Sequence, residues 1–212
     1  GHTVIDHRVI GIVSDGDLQE GISAEAASLA GHLGLGKIVY LYDDNRIQLD
    51  GPTSMAWSED LLARFDAYGW HTQRVADGND LAAIERALAA AVLDPRPSLI
   101  AVRTHIGFGS PNKQDTNKAH GAPLGPDEVR LTKEAYGWDP DRSFYVPDEA
   151  AATFRAAIPA GERLVADWEA RMAAYAAAFP AEAAELRRRL SGALPAEWDA
   201  GLRTYAPGED FS

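Results

Sequence analysis

The spacing of apolar positions changes along the chain in a way that separates strands from helices. Residues 8–14 (RVIGIVS) form a short Val/Ile run that stops at Asp15-Gly16-Asp17, and residues 23–33 continue with the alanine-rich pattern of a helix. This predicts a strand, a tight turn and a helix. Residues 37–42 (KIVYLY) are again continuously apolar before the polar stop Asp43-Asp44-Asn45, as expected of a strand covered on both faces and parallel to the first. A helix over 60–68, a strand over 71–75, a helix over 80–93 with Leu81, Ile84, Leu88 and Val92 on one face, and a strand over 98–103 follow in turn. The alternation predicts an α/β fold with a mostly parallel sheet, helices on both faces and right-handed crossovers. In such folds ligands bind at the carboxyl ends of the strands.

Residues 106–126 (IGFGSPNKQDTNKAHGAPLGP) are too long and too rich in glycine and proline to be a plain connection, and loops of this length are functional or disordered. Beyond Pro147 the composition shifts to Ala, Glu and Arg. There Leu164, Trp168, Met172, Tyr175 and Phe179 recur at helical spacing. The expected organisation is an α/β ligand-binding domain over 1–147, a helical appendage over 148–198 and a linker over 199–212 leading to a further domain. The abrupt start at Gly1-His2 reads as a chain cut at both ends.

Bulk properties narrow the chemistry. With 46% hydrophobic and 25% charged residues, the chain belongs with ordinary globular proteins, and 212 residues suffice for one sizeable core plus an appendage. No apolar run reaches the roughly 18–20 residues that cross a bilayer, and the expected compartment is cytoplasmic. The absence of cysteine excludes disulfides, thiolate metal sites and a cysteine nucleophile, which leaves oxygen and imidazole as metal ligands. A formal charge of −12 and a pI near 4.8 argue against nucleic-acid binding, but a small positive pocket can still hold a phosphate.

Asp15 and Gly16 end the first strand, and Asn45 ends the second, thirty residues later. Parallel neighbours would bring them together. A carboxylate, an amide oxygen and the backbone carbonyl of Ile47 would then offer three oxygens to a hard cation. Two diphosphate oxygens and a water would complete the six-coordinate shell that Mg²⁺ prefers. Gly16, without a Cβ, would let a phosphate approach the backbone at a helix N-terminus. An Asp-Gly after a strand is by itself most often a turn; its pairing with Asn45 is what points to a metal-bound diphosphate. His2, His7, His32, His71 and His105 show no metal-ligand spacing, and the five tryptophans show no nucleic-acid stacking pattern, so structural roles are expected for both sets, with His105, near the end of the fourth strand, left open.

The stretch from Ser14-Asp15-Gly16 to Asp44-Asn45 resembles the thiamine-diphosphate motif, Gly-Asp-Gly followed about thirty residues later by Asn. Ser14 departs from its first glycine, and Asp17 stands where transketolases commonly carry cysteine. A second block, residues 107–113 (GFGSPNK) and 120–125 (HGAPLG), is similar to the transketolase loop almost residue for residue, and the likeness extends to about Trp198. The resemblance implies that Asp15, Asn45 and the Ile47 carbonyl hold Mg²⁺ (or Ca²⁺ or Mn²⁺), and that Gly16 touches the diphosphate. It places His120 beside thiamine diphosphate and the reacting end of the substrate. Glu20 matches a glutamate near the dimer interface, although its acid would also suit a helix N-terminus. Lys113 is a weaker candidate for a phosphate or carboxylate, and Asp17 is expected to point away along the turn.

The implied activity is transfer of a two-carbon ketol unit from a ketose phosphate to an aldose phosphate, as in the pentose phosphate pathway and the Calvin cycle. A homodimer with sugar-phosphate substrates is implied, with no nucleic-acid or membrane partner. The chain is expected to be inactive without the downstream pyrimidine-binding domain or an equivalent subunit. The alternatives are a dihydroxyacetone synthase-like relative and a non-catalytic partner or assembly subunit of the same fold. A Rossmann nucleotide site is disfavoured because no Gly-x-Gly-x-x-Gly follows the first strand.

Overall fold

The computed structural model describes residues 2–205 and 207–208. Of the expected linker, residues 206 and 209–212 lie outside the described residues. The chain divides into two compact units, one formed by residues 7–145 and the other by residues 1–6 with 146–212.

The larger unit contains four parallel strands in the order β1-β2-β4-β3: β1 (Val9–Val13), β2 (Ile38–Asp44), β3 (His71–Val75) and β4 (Ser98–Arg103). Alternation of side chains across the two central strands builds a core on each face. On one face, Leu99 and Ala101 of β4 and Tyr42 of β2 meet Ala27 and Ala30 of α2 (Gly21–His32) and Leu61 and Phe65 of α3 (Leu61–Ala67). On the other, Ile100 and Val102 of β4 and Val39 of β2 meet Ala87 and Ala91 of α4 (Leu81–Leu93). The chain steps outward from β1 to β2 to β3, then back to β4. This reversal places α4 opposite α2 and α3, as a constant crossover hand requires.

The four expected strands all form, but two local expectations change. Asp15-Gly16-Asp17 is not a tight turn; it starts a one-turn helix, α1 (Asp15–Gln19), because Ser14 caps it. On α4 the face against the sheet is the small-residue stripe of Ala83, Ala87 and Ala91 with Ile84 and Leu88, whereas Leu81 is 76% exposed and Val92 38%. Alanines let the helix sit close to the sheet, and the larger residues at its two ends fall outside the contact.

One close approach makes a sharp test. A Cβ on Gly31 in α2 would drive into the carbonyl oxygen of Tyr68, backbone that cannot swing aside, whereas a Cβ on Gly21 would meet nothing within 4 Å. Gly31→Ala should destabilise by about 1–3 kcal/mol through overpacking. Gly21→Ala should be neutral or stabilising by up to about 1 kcal/mol. Chemical denaturation of both variants checks the contrast.

A helix over Pro126–Ala135, α5, closes the larger unit; it was not among the expected elements. The smaller unit consists of α6 (Asp148–Arg155), α7 (Ala157–Ala178) and α8 (Pro180–Leu190), with Met172 and Ala183 buried where α7 packs on α8. Within it, the indole N–H of Trp168 donates to the Val4 carbonyl at 2.9 Å, and His2 lies 6.0 Å from the rings of Tyr175 and Phe179. Of the residues expected at helical spacing, Leu164, Trp168, Met172 and Tyr175 lie on α7, with Leu164 69% exposed, whereas Phe179 is its non-helical C-cap (φ −137°, ψ 70°). Among the described residues no helix is long and apolar enough to cross a membrane.

Candidate functional site

At the carboxyl ends of β1 and β2 the chain turns polar, and parallel pairing of Val13 with Tyr42 puts Asp15 and Asn45 at the same end of the sheet. Three of the few buried polar residues gather here: Asp15 (4% exposed), Asp44 (9%) and Asn45 (8%).

Asp15 is the first residue of α1, and Ser14 fixes the entry to it. Ser14 has an extended backbone (φ −100°, ψ 173°), its Oγ accepts from the Asp17 N–H at 3.3 Å, and Asp17 Oδ2 accepts from the Ser14 N–H at 2.8 Å and the Ser14 hydroxyl at 2.9 Å. This is a reciprocal capping box. Ser14 and Asp17, the two departures from the thiamine-diphosphate motif, are thus partners. Asp17 does not point away along the turn: its carboxylate turns back onto Ser14, where the helix N-terminus favours its charge. Gly16 meets no crowding, since an added Cβ would touch only Ser14 Oγ at 3.7 Å. The space it leaves open is available to a ligand.

The β2 end is shaped by Arg46, whose left-handed backbone (φ 65°) turns the chain sharply after Asn45. The turn brings the Ile47 N–H onto Asn45 Oδ1 at 2.8 Å, while Asn45 Nδ2 donates to Asp43 Oδ2 at 3.2 Å. Asp43 in turn accepts from the Thr104 hydroxyl beyond β4. The amide oxygen of Asn45 keeps a second lone pair for a cation. Ile47 is itself buried and bridges to Pro52.

Burial pushes the Asp15 carboxyl above the ordinary carboxylate range. Its own N–H, the Gln48 side chain and His120 offset part of that rise, and the nearby Asp43 adds to it. Burial and the charges of Asp44, Asp15 and Asp43 likewise push the Tyr42 hydroxyl up. A buried acid beside further acids fits a bound cation, because a nearby positive charge favours the ionised form. No cluster of three His, Asp or Glu side chains able to hold a metal forms among the described residues. A cation at these strand ends would draw on mixed donors, the Asp15 carboxylate, the Asn45 amide oxygen and the Ile47 carbonyl, and such a set would leave positions for ligand oxygens.

The loop after β4 brings His120 to the same place. His120 ends a 3₁₀ turn (Asn117–Ala119), Asn117 Nδ2 donates to the Asp50 carbonyl at 3.2 Å, and His120 lies near enough to Asp15 to bias its ionisation. The Lys113 ammonium donates to the carbonyls of Leu124 (2.8 Å) and Pro123 (3.4 Å), closing the loop just past His120. His105 is engaged by Asp115 at 2.9 Å, and Glu20 forms the N-cap of α2 without a side-chain capping bond. Gln48, which reaches Asp15, has no signal in the sequence beyond its place three residues after Asn45.

A family model described as "Transketolase, thiamine diphosphate binding domain" matches residues 1–195. The chain belongs to the transketolase family. The transketolase of Geobacillus stearothermophilus is 48% identical over 214 residues, covering 100% of this chain and 32% of that protein. Transketolase 1 of Vibrio parahaemolyticus (serotype O3:K6) is 50% identical over 199 residues, covering 94% of this chain and 30% of that protein. The solved transketolase from Leishmania mexicana superposes with a TM-score of 0.89 at 40% identity, over 97% of this chain and 31% of that one. A transketolase complex with sedoheptulose-7-phosphate from Pichia stipitis gives a TM-score of 0.88 at 40% identity, over 99% of this chain and 31% of that one. This transketolase-family chain spans about a third of the length of the curated relatives it matches.

Proposed function

We propose that this chain is the diphosphate-anchoring part of a transketolase that transfers a two-carbon ketol unit between sugar phosphates. The reading is supported by the parallel pairing of β1 and β2, which sets Asp15 and Asn45 beyond the same end of the sheet, and by the bond from the Ile47 N–H to Asn45 Oδ1, in a chain whose family model is described by thiamine diphosphate binding. Asp15 Oδ, Asn45 Oδ1 and the Ile47 carbonyl would hold a divalent cation, Mg²⁺ or a similar hard ion, and Gly16 would let the diphosphate lie against the start of α1. Bound thiamine diphosphate supplies the carbon nucleophile and electron sink that protein side chains lack. The chain's own part is to fix the diphosphate, exclude alternative placements of the cation and present His120 for hydrogen bonding and proton movement.

The sugar phosphate named with the Pichia stipitis structure supports sugar phosphates as the substrate class. The relatives named above are transketolases, which does not favour the dihydroxyacetone synthase or assembly-subunit readings. A cytoplasmic homodimer and completion by a pyrimidine-binding domain remain part of the proposal. Exposed Ile22 and Leu29 on α2 and Leu33 at its C-cap support a subunit or domain contact there. His120→Ala in the complete enzyme should lower kcat for ketol transfer by about 10²–10⁴-fold, the range for loss of a general acid or base. Retention of full kcat would remove His120 from the reaction.

A further inference from the structure

Outside the cation site, the larger unit buries one more pair of polar side chains in contact: Ser110, 2% exposed, and Glu128, 8% exposed. Glu128 lies in the first turn of α5, where a carboxylate is favoured by the helix dipole, yet its oxygens do not cap the helix. They turn to the loop. Oε1 accepts from the Ser110 hydroxyl and from the Asn112 N–H at 2.8 Å, and Oε2 accepts from Asn112 Nδ2 at 2.9 Å.

The next residue along the loop, Lys113, carries the constraint across to Leu124 and Pro123, and its own carbonyl accepts from the Thr116 hydroxyl at 2.7 Å. His120 therefore sits on a segment pinned at both ends. One end is held through Thr116 and Lys113, the other through Leu124, and both depend on where residues 110–113 are placed. The bond from Ser110, those from Asn112 and, less strongly, the charge of Lys113 hold the Glu128 carboxyl below its usual range, so the acceptor stays ionised.

We propose that Glu128 is a positioning residue for His120, its carboxylate fixing Ser110 and Asn112 so that the Lys113 anchor holds the His120 segment beside Asp15. The inference rests on the reading of His120 given above. An apolar side chain at 128 would leave Ser110 and Asn112 without their acceptor, and the loop would lose the one group that ties it to a helix by three bonds. Glutamine keeps an acceptor oxygen but turns its NH₂ group toward the Asn112 donors or the Ser110 hydroxyl, and is expected to fall between the two.

The test compares Glu128→Ala, Glu128→Gln, Asn112→Ala, His120→Ala and Asp15→Ala in the complete enzyme, with three readouts. These are kcat and KM for ketol transfer, amide hydrogen exchange over residues 106–125, and the rise in melting temperature with thiamine diphosphate and Mg²⁺. Glu128→Ala should lower kcat about 10- to 100-fold, as loss of a supporting contact does, with the cofactor-dependent rise retained. Exchange should quicken through to residue 124, and Glu128→Gln should restore part of both effects. Asn112→Ala, a milder change that leaves the helix untouched, should move kcat and exchange in the same direction and decides the matter if Glu128→Ala does not fold. Unchanged kcat in Glu128→Ala or Asn112→Ala, with faster exchange confined to residues 110–112, would overturn the inference while His120→Ala still lost activity. Full activity in His120→Ala, or an undiminished cofactor-dependent rise in Asp15→Ala, would instead show that the site reading beneath it had failed.

Discussion

Alanine at Asp15, and separately at Asn45, should abolish most of the stabilisation that thiamine diphosphate with Mg²⁺ gives to the protein. For a ligand at a hundred times its dissociation constant, that stabilisation is about 2.7 kcal/mol. For a domain of this size it corresponds to a rise in melting temperature of roughly 5–10 °C. Either substitution removes one of three protein oxygens proposed for the cation. A hundredfold weaker affinity, about 2.7 kcal/mol, cancels nearly all of that rise. The two variants should differ in the absence of ligand. Asp15 is a buried acid whose carboxyl is pushed up by burial, so its ionisation opposes folding. The native state then binds more protons than the unfolded chain between the ordinary carboxylate value and the raised one. The cost grows as pH rises through that window and is fully present above it. Asp15→Asn, which keeps the shape without the charge, should therefore melt no lower than wild type at neutral pH without cofactor, yet fail to gain from it. A melt series with and without ligand, at neutral and mildly acidic pH, reads both effects.

The largest loss of stability is expected at Trp70. Its indole is 1% exposed, donates to the Ala27 carbonyl of α2 at 2.8 Å, stacks near Tyr40 with ring centroids 6.0 Å apart and meets Phe65 edge-on at 5.1 Å. One side chain thus joins α2, α3 and the sheet. Trp70→Ala removes the buried ring and leaves the Ala27 carbonyl without its partner. It should cost about 3–5 kcal/mol and lower the melting temperature by roughly 10 °C or more. Trp138, 44% exposed, lacks such a setting, and its replacement should cost far less. Equal losses at both positions, measured by chemical denaturation, would contradict this account of the core.

What the sequence made legible follows from where hydrophobic burial alone decides the structure. Strand β4 begins and ends as its apolar run does, because it is buried along nearly its whole length and leaves no choice of face, while β3 keeps its expected bounds although Val75 alone in it is buried. Asp15 and Asn45 were also legible, since their positions depend only on strand ends and parallel pairing. The capping pair was not. Ser14 and Asp17 look like separate departures from a motif, and only the helical conformation of Asp15–Gln19 makes them reciprocal partners.

Helix α5 had signals that could have found it: Pro126 at its first position and Asp127 and Glu128 in its first turn. They were masked by the glycine- and proline-rich stretch that runs directly into it. Lys113 was the least legible, since a lysine in a polar loop is as compatible with a phosphate or with solvent as with two carbonyls ten and eleven residues away. Its role depends on the loop's return path, which no local pattern encodes.

The central claim is that Asp15, Asn45 and Ile47 hold the cation that anchors the diphosphate. Crystals of the complete enzyme grown with thiamine diphosphate and a divalent ion visible by anomalous scattering test it most directly. The account predicts one anomalous peak within about 2.0–2.6 Å of Asp15 Oδ, Asn45 Oδ1 and the Ile47 carbonyl oxygen, the range for hard divalent ions. A peak held instead by Asp43 or Asp44, or a bound diphosphate with no metal touching Asp15, would contradict it.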